Sequence, residues 1–143
     1  RAGSSSIYSW GNNIDNGCRH ANLYDRSSVK QLDFGWSFAD CDDGFSELAP
    51  VGSLQPNAFG LHDTVGNVFE WTTDCWHADF DGAPANGSPW MEAQHGDCAF
   101  RTPRGGSWVS GPNWTRAAAQ SKDPLNYRSF LLGFRVVADP VRR

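Results

Sequence analysis

Cys18, Cys41, Cys75 and Cys98 fall into two pairs of identical spacing, each with twenty-two residues between its members. None belongs to a C-x-x-C motif, and His20, His62, His77 and His95 complete no zinc-finger spacing. An even cysteine count in a loop-rich chain predicts the disulfides Cys18–Cys41 and Cys75–Cys98, one of three connectivities. Four reduced thiols in a cytosolic protein is the competing reading. Each closure would remove about 3 kcal/mol of chain entropy from the unfolded state. Oxidised pairs imply a periplasmic or extracellular address.

The rest of the composition agrees with a stapled, irregular domain. The 143 residues make one domain, and 15 glycines, 8 prolines and 7 tryptophans describe loops with large aromatic anchors. The net charge of −4 and the absence of a basic cluster beyond Arg142-Arg143 leave no electrostatic footprint for nucleic acid. No apolar run approaches the roughly 18 residues of a membrane span.

The chain is organised around Asn57-Ala58-Phe59-Gly60-Leu61-His62-Asp63-Thr64-Val65-Gly66-Asn67-Val68-Phe69-Glu70-Trp71. Asp63, Asn67 and Glu70 lie close together, and Gly66 supplies a turn that a β-carbon would obstruct. Short oxygen-bearing side chains broken by glycine are what a hard cation such as Ca²⁺ requires. It takes about six to eight oxygens, several of them from backbone carbonyls. The competing reading is a polar turn in which Asp63 and Asn67 bond local amides. Elsewhere, Ile7, Tyr8 and Trp10 read as a short strand ending at Gly11, and Ala49-Pro50-Val51-Gly52 as an edge segment. His77 to Phe100 reads as a polar excursion without regular structure, and Gly133-Phe134-Arg135-Val136-Val137 as a closing strand.

Asn57-Ala58-Phe59-Gly60-Leu61, Gly66-Asn67-Val68-Phe69-Glu70-Trp71, Arg104-Gly105-Gly106-Ser107-Trp108 and Gly133-Phe134-Arg135, with Tyr8-Ser9-Trp10-Gly11 ahead of them, resemble the blocks of the formylglycine-generating enzyme (sulfatase-modifying factor) family in order and spacing. The resemblance implies an α+β fold, irregular and loop-rich, of the formylglycine-generating-enzyme or C-type-lectin-like kind. It also implies that the chain corresponds to the C-terminal two-thirds of the family domain, with Arg1-Ala2-Gly3 as the tail of a preceding portion. A companion chain or upstream segment would supply the remainder. Two calcium sites follow by the same resemblance. One uses the Asn22 and Asp43 side chains with the Leu23 and Phe45 carbonyls, Asp42 being the alternative to Asp43. The other uses the Asp63 and Glu70 side chains with the Gly66 and Val68 carbonyls, and Asn67 is either a further ligand or the residue shaping the turn.

Activity in this family depends on copper(I) held by two thiolates in a G-G-S-x-x-C-x-x-x-x-C pattern. Here Ser110 and Thr115 stand at the two cysteine positions. A hydroxyl does not replace a thiolate on Cu(I), so neither copper nor formylglycine synthesis is expected. The blocks also resemble the variable proteins of diversity-generating retroelements, whose fixed segments frame a ligand-facing surface. That likeness marks the surface around 107–131, with Trp108, Ser110, Asn113, Trp114, Tyr127 and Phe130, as a place for a protein or glycan ligand. The resulting expectation is a calcium-stabilised, non-catalytic binding or accessory module. The alternative is an oxidoreductase of the same superfamily, using non-heme iron or copper and completed by an N-terminal portion.

Overall fold

The computed structural model describes residues 3–138, so Arg1, Ala2 and the Arg142-Arg143 pair lie outside the described residues. Short elements joined by long loops make up the fold. A 3₁₀ turn (Ile14–Arg19) precedes α1 (Arg26–Gln31), and the strands β1 (Phe69–Glu70) and β2 (Cys75–Trp76) follow. After a second 3₁₀ turn (Ala93–His95) come β3 (Asp97–Arg101), β4 (Asp123–Pro124) and β5 (Leu132–Gly133). β1 pairs with β5 in parallel, Phe69 opposite Leu132, while β2, β3 and β4 form an antiparallel sheet in that order. This is an irregular α+β architecture.

Local chemistry explains the helical pieces. Asn13 caps the first 3₁₀ turn by accepting from the Asp15 amide, and Asp25 caps α1 by accepting from the Ser27 and Ser28 amides. α1 interrupts a segment that reads from sequence as one long loop. Its helical signal is a single capping aspartate ahead of six residues, too short for a hydrophobic period to register.

Both predicted disulfides are present: Cys18–Cys41, Cα atoms 6.0 Å apart, and Cys75–Cys98, 4.6 Å apart. The first ties the 3₁₀ turn to the loop after Ala39. The second joins β2 to β3. A small hydrophobic cluster lies beside the first: Ala21, Leu23, Ala39 and Val65, with Trp10, Ile14 and Cys41 packed on it. Gly17 is required there, because a β-carbon would stand 2.7 Å from the Trp10 ring and 2.8 Å from the Leu23 side chain.

Side-chain amides do much of what a sheet ladder does elsewhere. Asn67 Oδ1 accepts from the Ala49 amide (3.0 Å) and from Asn22 Nδ2 (3.1 Å), and Asn67 Nδ2 donates to Ala49 O (3.2 Å). Asn22 Nδ2 also donates to Glu47 O at 2.8 Å. Main-chain bonds from Asn67 N to Asn22 O and from Trp108 N to Asn67 O, both 2.9 Å, bring a fourth segment in. Buried polar groups in loops are thereby satisfied without strands.

Four strand expectations change, the first being the Ala49-Pro50-Val51-Gly52 edge segment, which joins no strand and turns at Val51-Gly52. The segment around Tyr8 is a single bridge to Gly11, with Tyr8 stacked on Trp10 at 5.1 Å. The closing strand is confined to Leu132–Gly133, and Phe134, Val136 and Val137 are 75%, 84% and 89% exposed instead of alternating. The polar excursion ends in β3, a five-residue strand held between β2 and β4. Its Asp97-Cys98-Ala99-Phe100-Arg101 composition gives no alternating pattern; pairing with its neighbours makes it a strand.

Candidate functional site

The first oxygen cluster is built where the 21–25 segment meets the loop after Cys41. Asp43 accepts from the Leu23 amide (2.9 Å) and the Phe45 amide (2.8 Å), and its own amide donates to Asp25 Oδ2 at 2.6 Å. Burial pushes the Asp43 carboxyl up to about 6 against the pull of those two amides, with Asp25 and Asp42 adding repulsion. Burial also raises Asp25. Asp42 points outward instead, accepting from the Ser27 hydroxyl and pairing with Lys30 at 3.7 Å. The Ser27 hydroxyl holds Asp42 below the ordinary aspartate range. Asp43 is therefore the residue that reaches Leu23.

Beside it, Asn22 is 1% exposed and its Oδ1 is buried with no hydrogen-bond partner among the described residues. A buried, unpaired amide oxygen next to a desolvated carboxyl is unfavourable as it stands, and a cation would relieve both. Leu23 O already accepts from the Ser28 hydroxyl at 3.3 Å, which leaves a lone pair for a second partner. The donor set of Asn22, Leu23, Asp43 and Phe45 fits a hard cation in chemistry: one carboxylate, one amide oxygen and main-chain oxygens.

The second set is arranged differently. Asp63 and Asn67 both hold left-handed backbone (φ 54° and 59°) around Gly66, whose β-carbon would lie 2.1 Å from Asn22 O. Both Glu70 oxygens accept from Arg135, one from Nε and one from Nη2, which also donates to Asp63 O at 3.0 Å. Asp63 Oδ2 accepts from the Gly52 amide at 2.7 Å. Gly66 and Val68 flank Asn67, whose oxygen is occupied by the two donors described above. Arg135 thus supplies the positive charge at this place, and the fit to a metal cation is poorer than at the first. Among the described residues, no group of three His, Cys, Asp or Glu side chains is placed to hold a metal ion by itself.

On the other side of the 21–25 segment a cavity of about 680 Å³ opens between two walls. One wall is the turn from Ser107 to Trp114, and the other is Gly35-Trp36-Ser37; Phe69, Ser121 and Leu131 complete it. Ser110, Asn113 and Trp114, three of the surface residues marked in the sequence, line this cavity. Tyr127 borders a smaller adjoining hollow of about 110 Å³ that shares Phe69, Ser121 and Leu131. Phe130 stands 77% exposed outside both, and Trp108 is withdrawn from the surface at 5% exposure, its indole N–H buried without a partner.

Ser110 and Thr115 are tied into the wall. Ser110 Oγ accepts from the Ser107 amide (2.9 Å) and meets Ser107 Oγ at 3.1 Å. Thr115 is 0% exposed and donates to Pro112 O at 3.2 Å. Both pack around Gly106. All four cysteines are held in disulfides, so this chain presents no thiolate there. The donor set does not fit copper(I).

Nothing in the sequence reading marks the wall at 35–37 or its organiser, Tyr24. The Tyr24 side chain is fully buried; its hydroxyl donates to Leu32 O (2.8 Å) and accepts from the Phe34 amide (2.9 Å). Its ring lies 5.8, 6.0 and 6.5 Å from those of Phe34, Trp36 and Phe38. Main-chain bonds from Ala39 N to Tyr24 O and from Tyr24 N to Ser110 O connect the walls. One signal was available: aromatics at alternate positions 34, 36 and 38, separated by Gly35 and Ser37.

Residues 1–140 match the family model described as the sulfatase-modifying factor enzyme 1-like domain. The chain is 32% identical over 139 residues to the formylglycine-generating enzyme of Thermomonospora curvata, covering 94% of this chain and 43% of that protein. It is 32% identical over 97 residues to the inactive C-alpha-formylglycine-generating enzyme 2 of Bos taurus, covering 66% of this chain and 29% of that one. Among solved structures, PvdO from Pseudomonas aeruginosa superposes with a TM-score of 0.63 at 36% identity, over 82% of this chain and 38% of that one. The chain spans less than half the length of these relatives. It belongs to the sulfatase-modifying factor family.

Proposed function

We propose that this chain is a calcium-stabilised, non-catalytic binding module that holds a ligand between its 35–37 and 107–114 walls. The lining of the cavity carries the reading. Among the described residues it consists of hydroxyls, one carboxamide, aromatic rings and small or aliphatic groups, with no thiol, carboxylate, imidazole or amine. Such a surface can bind and orient a ligand but offers no nucleophile of lowered pKa, no general base and no soft metal ligand. The commitment of Ser110 and Thr115 to wall hydrogen bonds supports it, as does a relative named as inactive.

Calcium sits, in this reading, at Asn22, Leu23, Asp43 and Phe45, where it would satisfy the orphaned amide oxygen and favour the Asp43 carboxylate. A second ion at Asp63, Gly66, Val68 and Glu70 would have to draw Glu70 away from Arg135. The two disulfides make this an extracytoplasmic protein, in the periplasm or outside the cell. The remaining portion of the family domain, on the same chain or a companion, is its expected partner beside the ligand.

The test combines metal content with activity. Elemental mass spectrometry of the purified protein should find bound calcium, lost on chelation. The protein loaded with copper(I) or iron(II) should consume no O₂ with a cysteine-bearing sulfatase peptide and leave that cysteine unconverted. Stoichiometric copper or iron with O₂-dependent product would overturn the binding-module reading in favour of an oxidoreductase.

A further inference from the structure

We propose that the occupant of this cavity is an uncharged carbohydrate; the inference rests on the binding-module reading above and names its ligand class. A concavity of about 680 Å³ lies inside the range of clefts that hold small ligands, roughly 300–1,000 Å³. Two indoles stand on opposite walls while remaining open to solvent, Trp36 at 57% and Trp114 at 51% exposure. Phe69 lies at the base, edge-on to Trp114 with ring centroids 6.3 Å apart. Large aromatic rings left exposed beside a cavity mark a binding surface.

The chemistry of the lining selects among ligands. A pyranose ring presents C–H groups on its faces, which carry partial positive charge and lie well against the electron-rich face of an indole. Its edges are hydroxyls, each donor and acceptor, matched by the Ser37 hydroxyl and the Asn113 amide, which also both donate and accept. No charged side chain lines the cavity among the described residues, so a carboxylated, sulfated or basic ligand would lose its hydration without a partner ion. An extended peptide is disfavoured too. The lining turns spend their main-chain bonds internally, Ser110 N on Ser107 O and Trp114 N on Gly111 O, and offer no strand edge for addition.

A glycan array bearing neutral gluco-, galacto- and manno-oligosaccharides beside sialylated and sulfated counterparts tests this with the purified chain. Titration of the best soluble oligosaccharide then follows by tryptophan fluorescence. Expected is binding to a neutral oligosaccharide that is insensitive to added NaCl and weakened about tenfold or more by Trp114→Ala and by Trp36→Ala. Trp114→Phe should recover part of it. Both sites are exposed, and unchanged circular dichroism would confirm that the variants fold. Absence of any neutral ligand, binding of anionic glycans alone, or binding that survives both alanine variants would overturn the carbohydrate assignment. A defined peptide bound in the cavity and lost with Trp114→Ala would also overturn it while leaving the binding-module reading intact. O₂-dependent conversion of a peptide cysteine would remove both.

Discussion

Through one carboxamide, Asn67 accepts from the Ala49 amide and from Asn22 and returns a bond to Ala49 O, so three loops meet on a single buried side chain. Asn67→Ala leaves a buried amide and a buried carbonyl unpaired, at about 1–3 kcal/mol for each such group, and gives a β-branched-free but still strained residue at φ 59°. Urea denaturation should show a loss of roughly 2–5 kcal/mol, a large part of a small domain's stability. Asp43 makes a prediction of another kind. Its folded carboxyl titrates at about 6, above the unfolded 3.8, so between those pH values the folded state holds a proton that the unfolded state has released. Metal-free protein should therefore be most stable, with respect to this group, below pH 4 and lose that contribution as pH rises through about 6. Asp25, also raised, acts in the same direction. Added calcium binds the carboxylate and should flatten or reverse the slope; thermal melts across pH, with and without calcium, read it directly.

At the scale of elements, the aromatic wall depends on Tyr24 and the three-stranded sheet depends on Lys122. Tyr24→Phe keeps the ring but removes the hydroxyl that joins Leu32 O to the Phe34 amide. We expect a cost of about 1–2 kcal/mol, with faster amide hydrogen exchange confined to residues 32–38. The Lys122 ammonium lies 3.9 Å from the Trp76 ring centroid and 4.2 Å from that of Phe100, and 3.5 Å from Asp97. Three attractions converge on one cation across β2 and β3, while partial exposure limits each. Lys122→Met should keep the stem and lose the charge, lowering stability by about 0.5–1.5 kcal/mol in urea. Parity with the parent would show that the sandwich is incidental.

The whole molecule has a slender core for its length. Its central cluster is built from Ala21, Leu23, Ala39 and Val65, while Phe130, Phe134, Val136 and Val137 lie open. Stability then rests on crosslinks, capped turns and buried amides more than on apolar burial. Each disulfide closes a separation of 23 residues, a constraint of about 3 kcal/mol. Reduction and chelation together should abolish the cooperative melt near room temperature, followed by near-ultraviolet circular dichroism of the tryptophans. Either treatment by itself should lower the midpoint and leave a transition. A midpoint indifferent to both would locate the stability elsewhere.

The sequence by itself determined the covalent frame and the tight turns. The cysteine spacing carried the disulfide pairing, the blocks carried the family, and the glycine at position 66 carried a left-handed turn, φ 76°, that side chains rarely adopt. These are properties of bonds and of backbone sterics, which a few adjacent residues fix. The tertiary structure decided whatever depends on residues distant in the chain. It turned Asp43 rather than Asp42 toward the Leu23 amide, because the Cys18–Cys41 bridge and the Asp25 carboxylate fix that loop's path. It buried Trp108 and left Trp114 open, a distinction that two tryptophans in neighbouring turns do not carry in composition. It also brought Gly35-Trp36-Ser37 against the 107–114 turn, where the Gly111 α-carbon sits so close to Ser37 O that a β-carbon would approach to 2.5 Å. Burial and loop apposition are set by the sum of long-range contacts, and only the folded chain performs that sum.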